Sequence, residues 1–159
     1  MATNSLVEKT IKDTIEKYLK EQDDITLDLA IRLCKKVMLK AREIGVKSVV
    51  AITNKSGHPV LVNCDDDSYI ASYDIALNKA FTVVALKMST KELAELAKPN
   101  GSLYGIQFTN DNKLVIFGGG EPLKNKNGVV IGGIGVSGGT EAQDTMLGKY
   151  GKEVFEKGI

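Results

Sequence analysis

Gly118-Gly119-Gly120-Glu121-Pro122, followed by Gly132-Gly133-Ile134-Gly135-Val136-Ser137-Gly138-Gly139-Thr140, is the stretch on which the reading of this chain turns. Within it, Gly128 to Val136 reads as a strand rich in β-branched residues. Thr140-Glu141-Ala142-Gln143 satisfies a capping box, in which threonine and glutamine side chains bond each other's backbone amides, so a helix of about four turns starts there. Gly133-x-Gly135-x-x-Gly138 matches the letters of a dinucleotide fingerprint, whose glycines bring a pyrophosphate against amides at a helix start. That fingerprint also requires a second parallel strand after the helix, with an acidic residue about twenty positions on. The residues after Thr140 supply only the helix, so a nucleotide site is set aside. Two readings of the corner stay open. Free amides from Ser137 to Thr140 make a nest for a carboxylate or other anion, or the glycines serve only a tight turn from strand to helix. Ser137 lacks the Gly-x-Ser-x-Gly spacing of a nucleophile elbow, since Gly138 stands one place early.

Outward from this stretch, Lys113 to Phe117 reads as a further strand, joined to the next by a glycine- and proline-containing loop at Gly118 to Asn127. Upstream, Ser89-Thr90-Lys91-Glu92 is a second capping box, opening a short helix that stops before Pro99-Asn100-Gly101. Ser68 to Met88 is too long and alanine-rich for a strand, and carries an apolar face of Ile70, Ala71, Ile75, Leu77, Ala80, Phe81, Val84 and Leu86. Val46 to Thr53 and Val60 to Cys64, separated by Asn54-Lys55-Ser56-Gly57-His58-Pro59, form a β-hairpin. Before it, Asp24 or Thr26 caps a helix with Ala30, Ile31, Cys34, Val37, Met38, Ala41 and Ile44 on one face and Gly45 as its left-handed end. At the start, Ser5 to Glu21 places Val7, Ile11, Ile15, Tyr18 and Leu19 at helical spacing on an otherwise charged segment. Short turns between strands favour antiparallel pairing. The expectation is an α+β fold, with residues 1–24 an amphipathic helix and polar connector and 25–159 one domain.

The chain has 159 residues, 43% of them hydrophobic and 26% charged. That suits one globular domain, not a disordered or fibrous chain. Twenty-one basic and twenty acidic residues leave a charge of +1 with the lysines scattered, which excludes an electrostatic nucleic-acid footprint. No apolar run approaches the roughly 20 residues that span a bilayer, and Met1-Ala2-Thr3-Asn4 does not open a signal peptide, so a cytoplasmic protein is expected. Cys34 and Cys64 show no Cys-x-x-Cys spacing and read as reduced core residues.

Single residues offer further chemistry. His58, the sole histidine, lies in the hairpin turn, where it is either solvated or a haem or metal ligand. Asp65-Asp66-Asp67 lacks the glycine and terminal glutamate of a calcium loop and reads as the charged start of a helix. Lys79 lies in an otherwise buried stretch, where it either reaches a cleft as an anion partner or snorkels to the surface.

Val50-Ala51-Ile52-Thr53-Asn54-Lys55-Ser56-Gly57-His58-Pro59-Val60-Leu61-Val62, the Ala76-x-x-Lys79-Ala80-x-Thr82 helix and the run from Gly118 to Asp144 together resemble the GlcG/HbpS/PduO-C-terminal family. The resemblance extends from about Thr26 to the C-terminus. It implies a profilin-like α+β fold with a central antiparallel sheet of about five strands flanked by helices. It also implies homo-oligomers and a small-molecule cleft near the signature loops, at Lys79, Gly118, Gly119, Pro122, Ser137, Gly138, Gly139 and Thr140. Haem or a related tetrapyrrole is the implied ligand, with His58, a tyrosine or a neighbouring subunit as axial ligand and propionates near the nest. Two stretches depart from the family pattern: Asn54 stands where relatives carry Asp, and Asn63-Cys64-Asp65-Asp66-Asp67 replaces an Arg-Met-Asp-Gly-like stretch. Three function classes follow: a haem- or tetrapyrrole-binding module; a non-enzymatic assembly protein of a metabolic gene cluster or bacterial microcompartment, recruiting a partner through its N-terminal helix; and an enzyme on a small carboxylate. For the last, no general acid, base and nucleophile set is legible.

Overall fold

The computed structural model describes residues 2–20 and 23–159, with side chains for 5–15 and 23–159. Tyr18 and Leu19 of the expected N-terminal stripe, and Glu21 and Gln22 of the connector, therefore lie outside the described side chains. The elements run α1 (Ala2–Lys20), α2 (Leu27–Glu43), β1 (Val49–Asn54), β2 (Pro59–Cys64), α3 (Ile70–Leu86), α4 (Thr90–Ala97), β3 (Gly120–Lys124), β4 (Val130–Ser137) and α5 (Glu141–Glu156). Four strands, not about five, form one antiparallel sheet among the described residues, in the order β2-β1-β4-β3.

Local chemistry sets the helix ends. Thr26 Oγ1 accepts from the Leu29 amide at 3.3 Å, which settles the α2 cap on Thr26, and Gly45 follows that helix with φ +73°. Both capping boxes form, at Ser89–Glu92 for α4 and at Thr140–Gln143 for α5, each worth about 1 kcal/mol over alanine at the cap. α2 buries Leu29, Ala30, Leu33, Cys34, Val37, Met38 and Ala41. Ile31, expected on that face, is instead half exposed.

The sheet is covered on both faces. Val50, Ile52, Ile134 and Val136 point into a large core shared with α2 and Leu147 of α5. Val49 and Ala51 point the other way, against Ala76 and Ala80 of α3. The α3 face differs from the one hydrophobicity selects: Ser72, Ala76, Lys79, Ala80, Thr82 and Val83 are buried, while Ile70 is 96% exposed. Glycine on β4 is the cause. A Cβ on Gly135 would run into the Ala76 carbonyl oxygen, and one on Gly133 would come within 2.5 Å of that of Ala80. The helix backbone thus lies directly on the strand, and only small or shape-matched side chains fit between them.

Two expectations for the segment before β4 are corrected. Lys113 to Phe117 forms no strand; 3-10 turns at Ile106–Phe108 and Asn110–Asn112 lead into it. Thr82 Oγ1 accepts from the Val115 amide at 3.0 Å, tying this run to α3 rather than to a sheet. The strand is instead Gly120–Lys124, which composition marks as loop. Its Pro122, paired with Gly133, is tolerated because β3 is an edge strand and needs partners on one side only.

Asp65 and Asp67 do more than start a helix. Asp65 takes a two-pronged bond from Arg42 at 2.8 and 3.1 Å, and Asp67 pairs with Lys47 at 2.7 Å, fastening the end of β2 to the end of α2. Cys34 is buried as expected, whereas Cys64, at the end of the edge strand β2, is exposed.

Candidate functional site

The site forms where β4 ends. Gly133, Gly135 and Ser137 share the strand face toward α3, so Ser137 is the first residue on that face with a side chain able to reach the helix. Its hydroxyl donates to Ser72 Oγ at 3.1 Å. Gly138 then turns the chain at φ +140°, in a space where a Cβ would collide with the Lys47 carbonyl oxygen. Thr140 closes the corner as the α5 cap.

The amides of this corner are already used. Gly139 N donates to Asp144 Oδ1 at 2.9 Å, and Thr140 N donates to Gln143 Oε1 at 2.9 Å. Just before β3, Gly118 N donates to Glu141 Oε1 at 3.2 Å, and at the first residue of β3 Gly120 N donates to Thr90 Oγ1 at 2.9 Å. The nest is therefore filled by the carboxylate and amide side chains of α5's own first turn. An incoming propionate or substrate carboxylate would have to displace them.

Lys79 neither snorkels nor opens onto a cleft. It is fully buried and donates to Asp144 Oδ2 at 3.0 Å and to the Val136 carbonyl at 2.7 Å. The Phe117 ring covers its ammonium, 4.9 Å from the centroid. Burial pushes Asp144 above the usual carboxylate range, against the pull of Lys79 and the Gly138 and Gly139 amides. Burial likewise pushes Lys79 down, opposed by Asp144 and Glu141. Glu141 sits low because Lys91 bonds it at 2.8 Å and Gly118 donates to it. On β3, Glu121 is buried 3.7 Å from Lys152, and burial raises its carboxyl.

Above this pair opens a cavity of about 260 Å³. Tyr69, Ala71, Ile75 and Phe117 form its apolar wall. Ser72, Ser137 and the first turn of α5, with Glu141 and Asp144, form its polar side. Of the residues named from sequence, Ser137, Gly138 and Gly139 line it. Lys79 lies beneath, Gly118 and Gly119 adjoin through Glu141 and Asp144, and Thr140 is occupied in its cap. Pro122 lies elsewhere, beside Gly133 on β3.

His58 lies at the other end of the sheet. Ser137 pairs with Val49, whereas the turn holding His58 follows Asn54, paired with Gly132. Five residues of strand separate those ends, about 17 Å at ~3.3 Å per residue. His58 cannot ligate a group seated at Ser137 of its own chain. A larger cavity, about 980 Å³, opens at this far end between the start of α2, the β3–β4 turn and residues 155–159. Its charges have both signs, and none of the ligand-site residues named from sequence lines it.

Sequence reasoning missed Tyr69, Ser72 and Phe117, whereas Asp144, like Glu141, is legible as a charge that complements the α5 dipole at the nest. Phe117, immediately before the glycine run, carried a positional signal. Ser72 carried none. Among the described residues no cluster of three or more metal-ligating side chains occurs, and no helix is long and apolar enough to cross a membrane.

Known proteins share this architecture. A protein of 15.0 kDa from Citrobacter freundii, encoded in the dhaT–dhaS intergenic region, is 42% identical over 133 residues, covering 84% of this chain and 93% of that protein. The corrinoid adenosyltransferase PduO of Salmonella typhimurium is 35% identical over 113 residues, 71% of this chain but 33% of PduO, so the likeness spans a third of that enzyme. A crystal structure described as a PduOC:heme complex superposes with a TM-score of 0.75 at 32% identity, covering 78% of this chain and 89% of the other. The family described as haem degrading protein HbpS-like matches residues 25–153, a span holding the sheet, the buried ion pair and the whole cavity. The chain belongs to the HbpS-like family.

Proposed function

We propose that the chain is a non-enzymatic accessory protein whose residues 25–159 bind haem or a related tetrapyrrole against the cavity between α3, Phe117 and the start of α5. The observation that carries this reading is the aromatic and apolar wall at the end of the glycine signature, in a family with a relative crystallised as a haem complex. The wall suits a planar ring, and the Tyr69 phenol is the axial group at hand. At about 260 Å³ the cavity is smaller than the usual 300–1,000 Å³ of ligand pockets. One chain thus encloses only part of a tetrapyrrole. Tyr69, Ile70 and Tyr73, all exposed, lie in sequence at the first turn of α3, and we take a second copy, in a homo-oligomer, to cover them. That copy is also the route by which a His58 reaches the ligand. Haemin titration of the purified protein tests the reading. A shifted Soret band that Tyr69→Phe or His58→Ala alters is expected, and no shift at stoichiometric haemin refutes it.

The second reading is an assembly role in a metabolic gene cluster or bacterial microcompartment. It is favoured by α1, where Leu6, Val7, Ile11 and Ile15 are all more than half exposed on a helix outside the family match. Such a stripe can lie in a partner's groove. Removing residues 1–22 tests it: recruitment of the partner is lost while folding and haemin binding stay unchanged.

A further inference from the structure

We infer that the Phe117 cavity admits an uncharged, apolar edge of its ligand and excludes carboxylates, so that a tetrapyrrole enters with its vinyl and methyl edge inward and its propionates facing out. This rests on the tetrapyrrole reading above and adds an orientation to it.

Strong recognition of a carboxylate comes from an unpaired cation or from convergent backbone amides. The amides of Gly118, Gly139 and Thr140 donate to Glu141, Asp144 and Gln143. The two lysines nearest are engaged as well. Lys79 is held beneath the floor by Val136 and Asp144, and Lys91 is bound to Glu141. What lines the opening is two lysine-paired carboxylates, the Ser72 and Ser137 hydroxyls bonded to each other, the Tyr69 phenol and an apolar wall, with no free cation among them. Because Lys79 and Lys91 already neutralise Asp144 and Glu141, an entering carboxylate would find no counter-ion left for its own charge. An apolar edge meets Tyr69, Ala71, Ile75 and Phe117 instead. At the start of α5 the Gly139, Thr140 and Gln143 amides are thus taken by side chains of the same corner.

Haemin and haemin dimethyl ester, delivered from the same cosolvent, provide the test, with the full-length protein and the Ala71→Trp variant. Ala71 is an exposed residue at the start of α3 that lines the cavity, so tryptophan there plugs the opening without entering the core. The expected result is that the ester binds as tightly as haemin or tighter, and that Ala71→Trp weakens both by more than tenfold with its circular dichroism unchanged. An ester weaker by more than threefold would show that the propionates are recognised and would overturn the orientation, leaving haem binding intact. Unaltered binding to Ala71→Trp would place the ligand elsewhere and overturn it equally. If neither compound binds, the tetrapyrrole reading fails and the orientation with it.

Discussion

Lys79→Met removes one half of a pair whose Nζ and Oδ2 are 3.0 Å apart, with side-chain exposures of 0% and 5%. Methionine fills the same length with an apolar, adaptable chain, so the loss isolates charge rather than volume. Asp144 would keep its bond from Gly139 but lose its counter-charge, and the Val136 carbonyl would lose its donor. Breaking a buried pair from one side costs about 3–5 kcal/mol. Against a domain stability of roughly 5–15 kcal/mol, this is a large fraction, and at about 2–4 °C per kcal/mol it lowers Tm by roughly 6–20 °C. The deficit also depends on pH. Without Lys79, only the Gly138 and Gly139 amides oppose the burial that raises the Asp144 carboxyl, so it rises further. A group raised on folding contributes stability below its unfolded value and loses it as pH rises through its folded value. The variant's deficit against wild type is therefore larger at about pH 7 than at about pH 4, where protonation relieves the lone carboxylate. Urea unfolding followed by circular dichroism at both pH values measures this. Lys79→Met/Asp144→Asn, which keeps an oxygen for Gly139, completes the cycle and recovers about 2 kcal/mol or more relative to the sum of the single variants. A single-variant cost under about 1 kcal/mol without pH dependence would refute the buried pair.

Gly135→Ala pushes a methyl into the Ala76 carbonyl of α3; with backbone on both sides it costs at least the ~1–3 kcal/mol of overpacking, read as a lower urea midpoint at unchanged slope. Burial pushes the Cys34 thiol up to about 11, while Cys64 is exposed. A thiol reagent near neutral pH therefore labels one cysteine per folded chain quickly, and Cys64→Ser abolishes that fast phase, the second thiol reacting only on unfolding. Ser89→Ala deletes the α4 cap, which accepts from the Glu92 amide at 3.1 Å; about 1 kcal/mol of thermal stability is lost, with no effect on haemin affinity.

What the sequence made legible was local. Both capping boxes, the Thr26 cap and the antiparallel hairpin follow from neighbouring residues and form as expected. What it hid depends on partners far along the chain. Periodicity put Ile70 and Phe81 on the inner face of α3, yet the surface they would meet is Gly133 and Gly135. A helix lying on glycines buries Ser72, Ala76 and Lys79, which no hydrophobicity scale selects. Gly120 to Lys124 looked like a loop because glycine and proline are poor strand formers, but edge position is a property of the sheet, not of the segment. Lys113 to Phe117 had strand composition and no strand to pair with.

Asp144 connects the structural and functional halves of the site. A hydrophobic pair in place of Lys79 and Asp144 would be as stable or more so by the usual balance of desolvation and attraction. It would leave the Gly139 amide without its carboxylate, at the start of a helix and beside an open cavity. A bare amide at a helix N-terminus draws anions. The ion pair therefore does something an apolar pair cannot: it supplies the corner with an internal anion while Lys79 keeps that anion neutralised from below. The glycine signature then has two separable tasks. Gly133 and Gly135 let α3 lie on the sheet, and Gly138 and Gly139 bend the chain so that Asp144 fills the nest, leaving Phe117 and Tyr69 to line the cavity.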